Sequence, residues 1–139
     1  MKKIWLLLLL LFPLLLALGL PRLIGRDAEP AMVVQCADPV RGCQVPIGNG
    51  VAEIRFSSVP VPFKPFDLTV RTPVVEQVFA DFTMQGMDMG LNRYTLQRTA
   101  DGVLQGKIIL PMCVSGESNW MMTLELDGAK RQIPFVAIK

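Results

Sequence analysis

The clearest structural signal in the chain is the run Trp120-Met121-Met122-Thr123-Leu124-Glu125-Leu126-Asp127-Gly128. Its residues alternate with period two, which places Trp120, Met122, Leu124 and Leu126 on one face of a strand. Asp127-Gly128 is a turn signal, and a second alternating run, Ile133-Phe135-Ala137, follows it. The sequence therefore predicts two consecutive strands here, and Pro134 predicts that the last one lies at a sheet edge.

The same alternation recurs towards the N-terminus, between turn signals such as Pro60-Val61-Pro62 and Ala100-Asp101-Gly102. After the first 25 residues, no long run of apolar residues at helical spacing interrupts this alternation. We therefore predict that residues 47–139 form an all-β domain, an immunoglobulin-like antiparallel β-sandwich of about seven strands. The other five predicted strands are Ala52–Phe56, Phe66–Val70, Val78–Phe82, Tyr94–Leu96 and Leu104–Leu110.

The N-terminal sequence is typical of an export signal. Lys2 and Lys3 precede the apolar run Ile4–Leu20, whose length lies between that of a cleaved signal and that of a membrane span. Residues 1–25 are therefore predicted to form one hydrophobic helix, a signal anchor or a signal peptide. A retained anchor gives a single-pass inner-membrane protein with its domain facing the periplasm, whereas cleavage gives a soluble periplasmic protein. Residues 26–46, rich in proline and poor in periodicity, are predicted to be a linker.

Composition restricts the function. The chain has 14 basic and 12 acidic residues, and Lys2 and Lys3 account for the surplus of +2. A balanced exported part argues against nucleic-acid binding through a basic face. The chain also has no histidine, which removes the commonest general base, the Ser-His and Cys-His nucleophile pairs and all imidazole metal sites. We therefore expect that the protein is not an enzyme.

The methionines suggest a metal site. Met84, Met87 and Met89 lie within one short segment, and Gly86 permits a bend that would bring Met84 towards the other two. Thioethers are soft ligands that suit Cu(I), so these three residues are candidate ligands for a Cu(I) cofactor. Core packing and a protein-contact surface are the alternatives for such a methionine-rich segment.

A second sulfur-containing cluster follows. Met112 and Met122 fall in the inward register and are predicted to pack in the core. Cys113 is either a buried apolar residue or a thiolate ligand, and Met121, on the polar side of its strand, is a further candidate ligand. Trp120 is a candidate to cover a bound cation with its ring.

The remaining cysteines, Cys36 and Cys43, bracket a segment that contains Pro39 and Gly42. In an exported chain a disulfide between them is expected. A thiol pair that exchanges Cu(I) is the alternative, although the spacing is not that of a Cys-x-x-Cys motif.

Several short motifs together resemble a known family. The segment Met84-Gln-Gly-Met-Asp-Met-Gly, the turn Asp101-Gly102, Leu110-Pro-Met, and Gly116 with Trp120 resemble FixH-like and YtkA-like domains over about residues 50–127. Those domains are small immunoglobulin-like envelope modules, often carried behind one membrane helix. The resemblance implies a periplasm-facing role near respiratory-oxidase assembly or copper supply. Two features depart from the family pattern: Cys113 follows Met112, and Glu117-Ser118-Asn119 lengthens the spacing between Gly116 and Trp120.

Two functions follow from these observations. The first is a membrane-anchored periplasmic protein that handles Cu(I) through the methionine-rich loop, supporting copper supply or homeostasis, with a respiratory oxidase or copper transporter as partner. The alternative is an accessory or assembly factor that docks on a respiratory membrane complex without binding metal.

Overall fold

A computed structural model describes residues 30–73, 75–84, 86–87, 90–112 and 118–138. The predicted N-terminal helix lies outside these residues. The described chain is all-β, as predicted, and contains no helix, so none that is long and apolar enough to cross a membrane. Its strands are β1 Met32–Val33, β2 Cys43–Ile47, β3 Gly50–Phe56, β4 Phe66–Arg71, β5 Val78–Met84, β6 Arg93–Thr95, β7 Gln97–Arg98, β8 Leu104–Ile108, β9 Asn119–Leu126 and β10 Ala129–Val136.

The strands form two five-stranded sheets. The first sheet has the order β1-β10-β9-β5-β6, and the second has the order β2-β3-β4-β8-β7. Neighbouring strands are antiparallel except β1 and β10, which are parallel. Both sheets bury one face, because every second residue of their long strands is apolar.

The core between the sheets contains a cluster of aromatic rings. Phe135 has its ring centroid 5.3 Å from that of Phe56, 6.1 Å from that of Phe82 and 6.5 Å from that of Trp120. The Trp120 ring stacks on Phe135 at 22° between planes, while the other two meet it edge to face. These rings contribute apolar burial and fix how the two sheets pack.

Phe79 lies on the outer face of β5, where the alternation predicts a polar residue. The guanidinium of Arg93 covers its ring at 4.2 Å from the centroid. The same guanidinium forms ion pairs with Asp81 at 3.0 Å and Glu125 at 3.1 Å. This cation–π contact explains how an aromatic residue is tolerated on the solvent side of the sheet.

Three strands were not predicted: β1, β2 and β7 bring the number from about seven to ten. Strands β1 and β7 have two residues each, too few to show a period. Strand β2 does alternate, with Val45 and Ile47 buried, but Pro46 and the prolines before it give the segment the composition of a linker. The structure therefore differs from the predicted boundary at residue 47, because the sandwich already begins at Met32.

Pro134 predicted that the last strand lies at a sheet edge, and this prediction is wrong, because the two-residue strand β1 lies outside β10. Val34 donates its N–H to the carbonyl of Gln132, so Gln132 and, two residues on, Pro134 face the β1 side of β10. Strand β1 pairs only with Arg131 and Gln132. Pro134 therefore lies beyond the end of β1, where its missing N–H removes no bond between the strands.

Candidate functional site

The two ends of the sandwich differ in character. At one end, segments distant in sequence hydrogen-bond to one another: Ile138 N–H to Pro60 O at 3.0 Å, and Phe63 N–H to Leu110 O at 2.9 Å. This end carries the segments around residues 57–65, 86–87, 90–91, 109–112 and 136–138, and we call it the apolar end. It also contains the aromatic cluster, since Phe56, Phe66 and Trp120 lie at the strand ends that point to it.

The apolar end carries most of the large apolar side chains that the described residues expose. Leu91 is 88% exposed and Phe63 is 64% exposed. Three of the exposed large apolar residues in the described part of the chain lie elsewhere, namely Met32, Val33 and Val51. Those at the apolar end are Val59, Phe63, Met87, Leu91, Ile109, Met112, Val136 and Ile138.

Phe63 has an uncommon backbone conformation. Its φ is 61°, in the left-handed region that a bulky side chain rarely adopts. Its N–H nevertheless bonds to Leu110 O, and the ring points largely into solvent. A strained aromatic residue that contributes little to the core suggests a role in contact with another molecule.

The opposite end is polar, and we call it the polar end. Exposed Glu76, Gln77 and Asp127 lie there, together with the exposed Asn49 of the β2–β3 turn. The Asp127 carboxylate accepts hydrogen bonds from the N–H groups of Glu76 at 3.2 Å and Gln77 at 2.9 Å. This end therefore satisfies polar groups of its own and exposes fewer large apolar side chains than the apolar end.

Met84 and Met87 lie at the apolar end, and Met84 is buried more deeply than Met87. Met84 is the last residue of β5 and is 4% exposed within the core, whereas Met87 is 37% exposed. The two form an isolated β-bridge, with Met87 N–H donating to Met84 O at 3.4 Å, and Gly86 makes the turn with φ of 78°. Met89 lies outside the described residues. The predicted bend at Gly86 thus forms, and it places a partly exposed methionine beside a buried one in the backbone bridge.

Trp120 and Met121 do not join this pair in the way the sequence suggested. Trp120 is opposite Met84 in the sheet, and its indole is sealed in the core at 2% exposure, where it stacks on Phe135. Met121 lies between Thr83 and Pro134 on the outer face of the same sheet. Met84 and Met121 thus point to opposite faces, and they cannot ligate one ion in this arrangement.

Met112 is not a core residue, so its predicted burial is wrong: it is 61% exposed. Strand β8 ends at Ile108, and Leu110 is the last buried residue before Pro111 turns the chain away. Met122, in contrast, is fully buried in β9 as predicted. Cys113, the candidate thiolate ligand, lies outside the described residues.

A disulfide joins Cys36 to Cys43, with 5.7 Å between their Cα atoms. Within the loop that it closes, Asp38 accepts hydrogen bonds from Val40 N–H at 2.9 Å and Gly42 N–H at 3.2 Å. Pro39 O accepts the N–H of Phe56 at 2.9 Å, which fixes the loop to the end of β3. The disulfide thus holds the loop against the sandwich.

Removing this disulfide is expected to lower the free energy of unfolding by about 2.5 kcal/mol, because the closed loop restricts the unfolded chain. The double variant Cys36→Ser/Cys43→Ser, compared with wild type by chemical denaturation, measures the loss. Reducing agent should reproduce it in the wild type and leave the double variant unchanged. A wild-type midpoint that does not respond to reduction would contradict the expectation.

The disulfide loop also forms one wall of a cavity of about 380 Å³ beside the apolar end. Its other walls come from both sheets and include Phe56, Val59, Trp120 and Phe135. The lining is mainly aromatic and aliphatic, and the volume is within the range of about 300–1,000 Å³ typical of ligand pockets.

Among the described residues, no group of three or more His, Cys, Asp or Glu side chains could hold a metal ion. No protein-family model, curated protein or solved structure matches the chain. The site must accordingly be interpreted from its own geometry.

Sequence reasoning located the methionines but missed the apolar end as a surface. The available signal was the presence of Phe63, Leu91 and Ile109 in or beside turn segments, where polar residues are usual. Their shared location depends on hydrogen bonds between distant segments, and no local pattern encodes it.

Proposed function

We propose that the protein is a periplasm-facing accessory module that docks on a membrane complex through its apolar end. The observation that carries this proposal is the concentration of exposed apolar side chains at one end of the sandwich while the other end is polar. Exposed apolar side chains that are concentrated on one part of a surface are typical of interaction sites. The strained and exposed Phe63 supports the same role.

The finer parts of the proposal rest on the sequence. The two-sheet fold belongs to an immunoglobulin-like class, residues 1–25 anchor the chain in the inner membrane, and the domain faces the periplasm. A respiratory oxidase is the partner that the resemblance to FixH-like and YtkA-like domains implies. The protein is not an enzyme, since its sequence has no histidine and the apolar end offers a contact surface in place of acid–base groups.

Site-specific photo-crosslinking in native membranes tests the docking proposal. A photoreactive residue in place of Leu91, at the apolar end, is expected to crosslink the full-length protein to a subunit of a membrane complex. The same residue in place of Asn49, at the polar end, is the matched control and should give little product. Copper chelation should leave the product unchanged. Crosslinking from Asn49 alone, or equally from both positions, would contradict the proposal.

Cu(I) handling is the second candidate, and the Met84–Met87 bridge is the observation that favours it. The accessible Met87 lies at the same end as the exposed Met112, and both carry the soft donors that Cu(I) prefers. Met89 and Cys113 follow these residues in the sequence and complete the candidate ligand set. In this case a copper transporter or an oxidase would receive the ion.

Titration of the full-length protein with Cu(I) against a competing chelator tests this candidate. Met87→Leu is expected to weaken binding by about tenfold or more, because a ligand is lost while an apolar side chain of similar size remains. Met121→Leu is the matched control and should bind as the wild type does, since Met121 lies on the other face of the sheet. Unchanged affinity in Met87→Leu would remove the candidate.

A further inference from the structure

The described chain joins the sandwich from the polar end. Strand β1 is parallel to β10, with Met32 opposite Arg131 and Val33 opposite Gln132. Strand β10 starts next to the Asp127–Gly128 turn at the polar end and finishes at Val136 at the apolar end. Because the two strands run in the same direction, Pro30 and Ala31 approach β1 from the polar side.

The reach of the tether to the proposed anchor is comparable with the length of the sheet. From residue 25, the end of the predicted hydrophobic segment, to Met32 there are seven Cα–Cα steps, which span at most about 24 Å when the chain is fully extended. The sheet extends about 17 Å from the level of Arg131 to that of Val136. For its apolar end to lie on the bilayer, the domain would have to turn over, and about 17 Å of the tether's reach of about 24 Å would be used in running back along the sheet.

The cavity beside the apolar end has a shape suited to a side chain from a partner protein. The cavity of about 380 Å³ is bounded by the disulfide loop and by Trp120 and Phe135. A recess of this kind accepts one large apolar side chain, as the central anchor residues of protein interfaces do.

We infer that the apolar end faces away from the bilayer and is covered by a protein segment of the partner, which places an apolar side chain in the cavity. This inference rests on the proposed function and on the retained anchor. It specifies the partner as a protein surface on the aqueous side of the membrane, at least the height of the domain above the bilayer.

Tryptophan quenching by brominated lipids tests the orientation. The full-length chain is reconstituted into vesicles whose acyl chains are brominated, in a Trp5→Phe background, with Leu91→Trp as the apolar-end probe and Asn49→Trp as the polar-end control. Wild-type Trp5, within the predicted anchor, serves as the positive control for quenching. We expect no quenching in Leu91→Trp beyond that of the Trp5→Phe parent.

Each outcome bears on a different claim. Excess quenching in Leu91→Trp would overturn the inference, since it places lipid on the apolar end, and it would leave the crosslinks that define docking intact. Release of the chain from the vesicles by a salt wash would also overturn it, because the tether argument needs a retained anchor. An unquenched probe together with failed crosslinking at position 91 would instead contradict the docking proposal.

Discussion

Replacing Trp120 with alanine is expected to lower the free energy of unfolding by about 3–5 kcal/mol. The indole is 2% exposed, stacks on Phe135 and lies opposite Met84 in the sheet, so its removal leaves a void that these neighbours cannot fill. The new void would add to the cavity that Trp120 already borders. Because natural domains are stable by only about 5–15 kcal/mol, this loss is a large part of the total.

Chemical denaturation of the full chain in detergent, followed by circular dichroism, measures this loss. Trp120→Phe is the control that keeps an aromatic ring in place, and it should cost clearly less. The same variant also tests the hypothesis that Trp120 covers a cation. Since the ring is buried and stacks on Phe135, Trp120→Phe should not change Cu(I) affinity. Weaker Cu(I) binding by this variant would support the hypothesis that Trp120 covers the ion. A loss below about 1 kcal/mol in Trp120→Ala would contradict the packing described here.

The long strands could be predicted because each has one buried face. In β5 the buried residues Val78, Ala80, Phe82 and Met84 alternate with exposed or half-buried ones, and β9 shows the same period. The two-residue strands β1 and β7 carry no such period, and they form because longer neighbours offer an edge. Strand β2 was not predicted because the proline-rich composition around Pro46 is typical of a linker, although Val45 and Ile47 already alternate with polar or exposed residues.

The candidate site was less predictable than the fold. Period-two alternation extended through Met84 would have placed that residue in the core, and it correctly placed Met121 on the outer face. That Met84 and Met121 point to opposite faces of one sheet follows only once β5 and β9 are known to be neighbours in that sheet. The apolar end depends still more on tertiary structure, because it combines residues as distant as Val59 and Ile138.

The second large effect is expected from charges at the apolar end. Phe63→Glu combined with Leu91→Glu should change the free energy of unfolding by only about 0.5 kcal/mol per site, since both side chains are largely exposed. In a complex, however, two carboxylates would be buried against apolar surface without partners, which is strongly unfavourable. We expect partner affinity to fall by about 100-fold or more, equivalent to about 2.7 kcal/mol.

Val51→Glu is the matched control for this double variant. Val51 is also an exposed apolar residue at 52%, but it lies beside the β2–β3 turn at the polar end. A carboxylate there should be tolerated in the complex as well as in the free protein. Any loss that the control shares with the double variant would reflect charge or expression, and not the apolar end.

The most direct measurement is the amount of a membrane complex, identified by mass spectrometry, that co-purifies with each full-length variant from native membranes. The wild type and Val51→Glu are expected to retain equal amounts, while Phe63→Glu/Leu91→Glu retains almost none at unchanged stability. Equal retention by all three proteins would show that the partner binds elsewhere, and it would contradict the assignment of the apolar end as the docking surface.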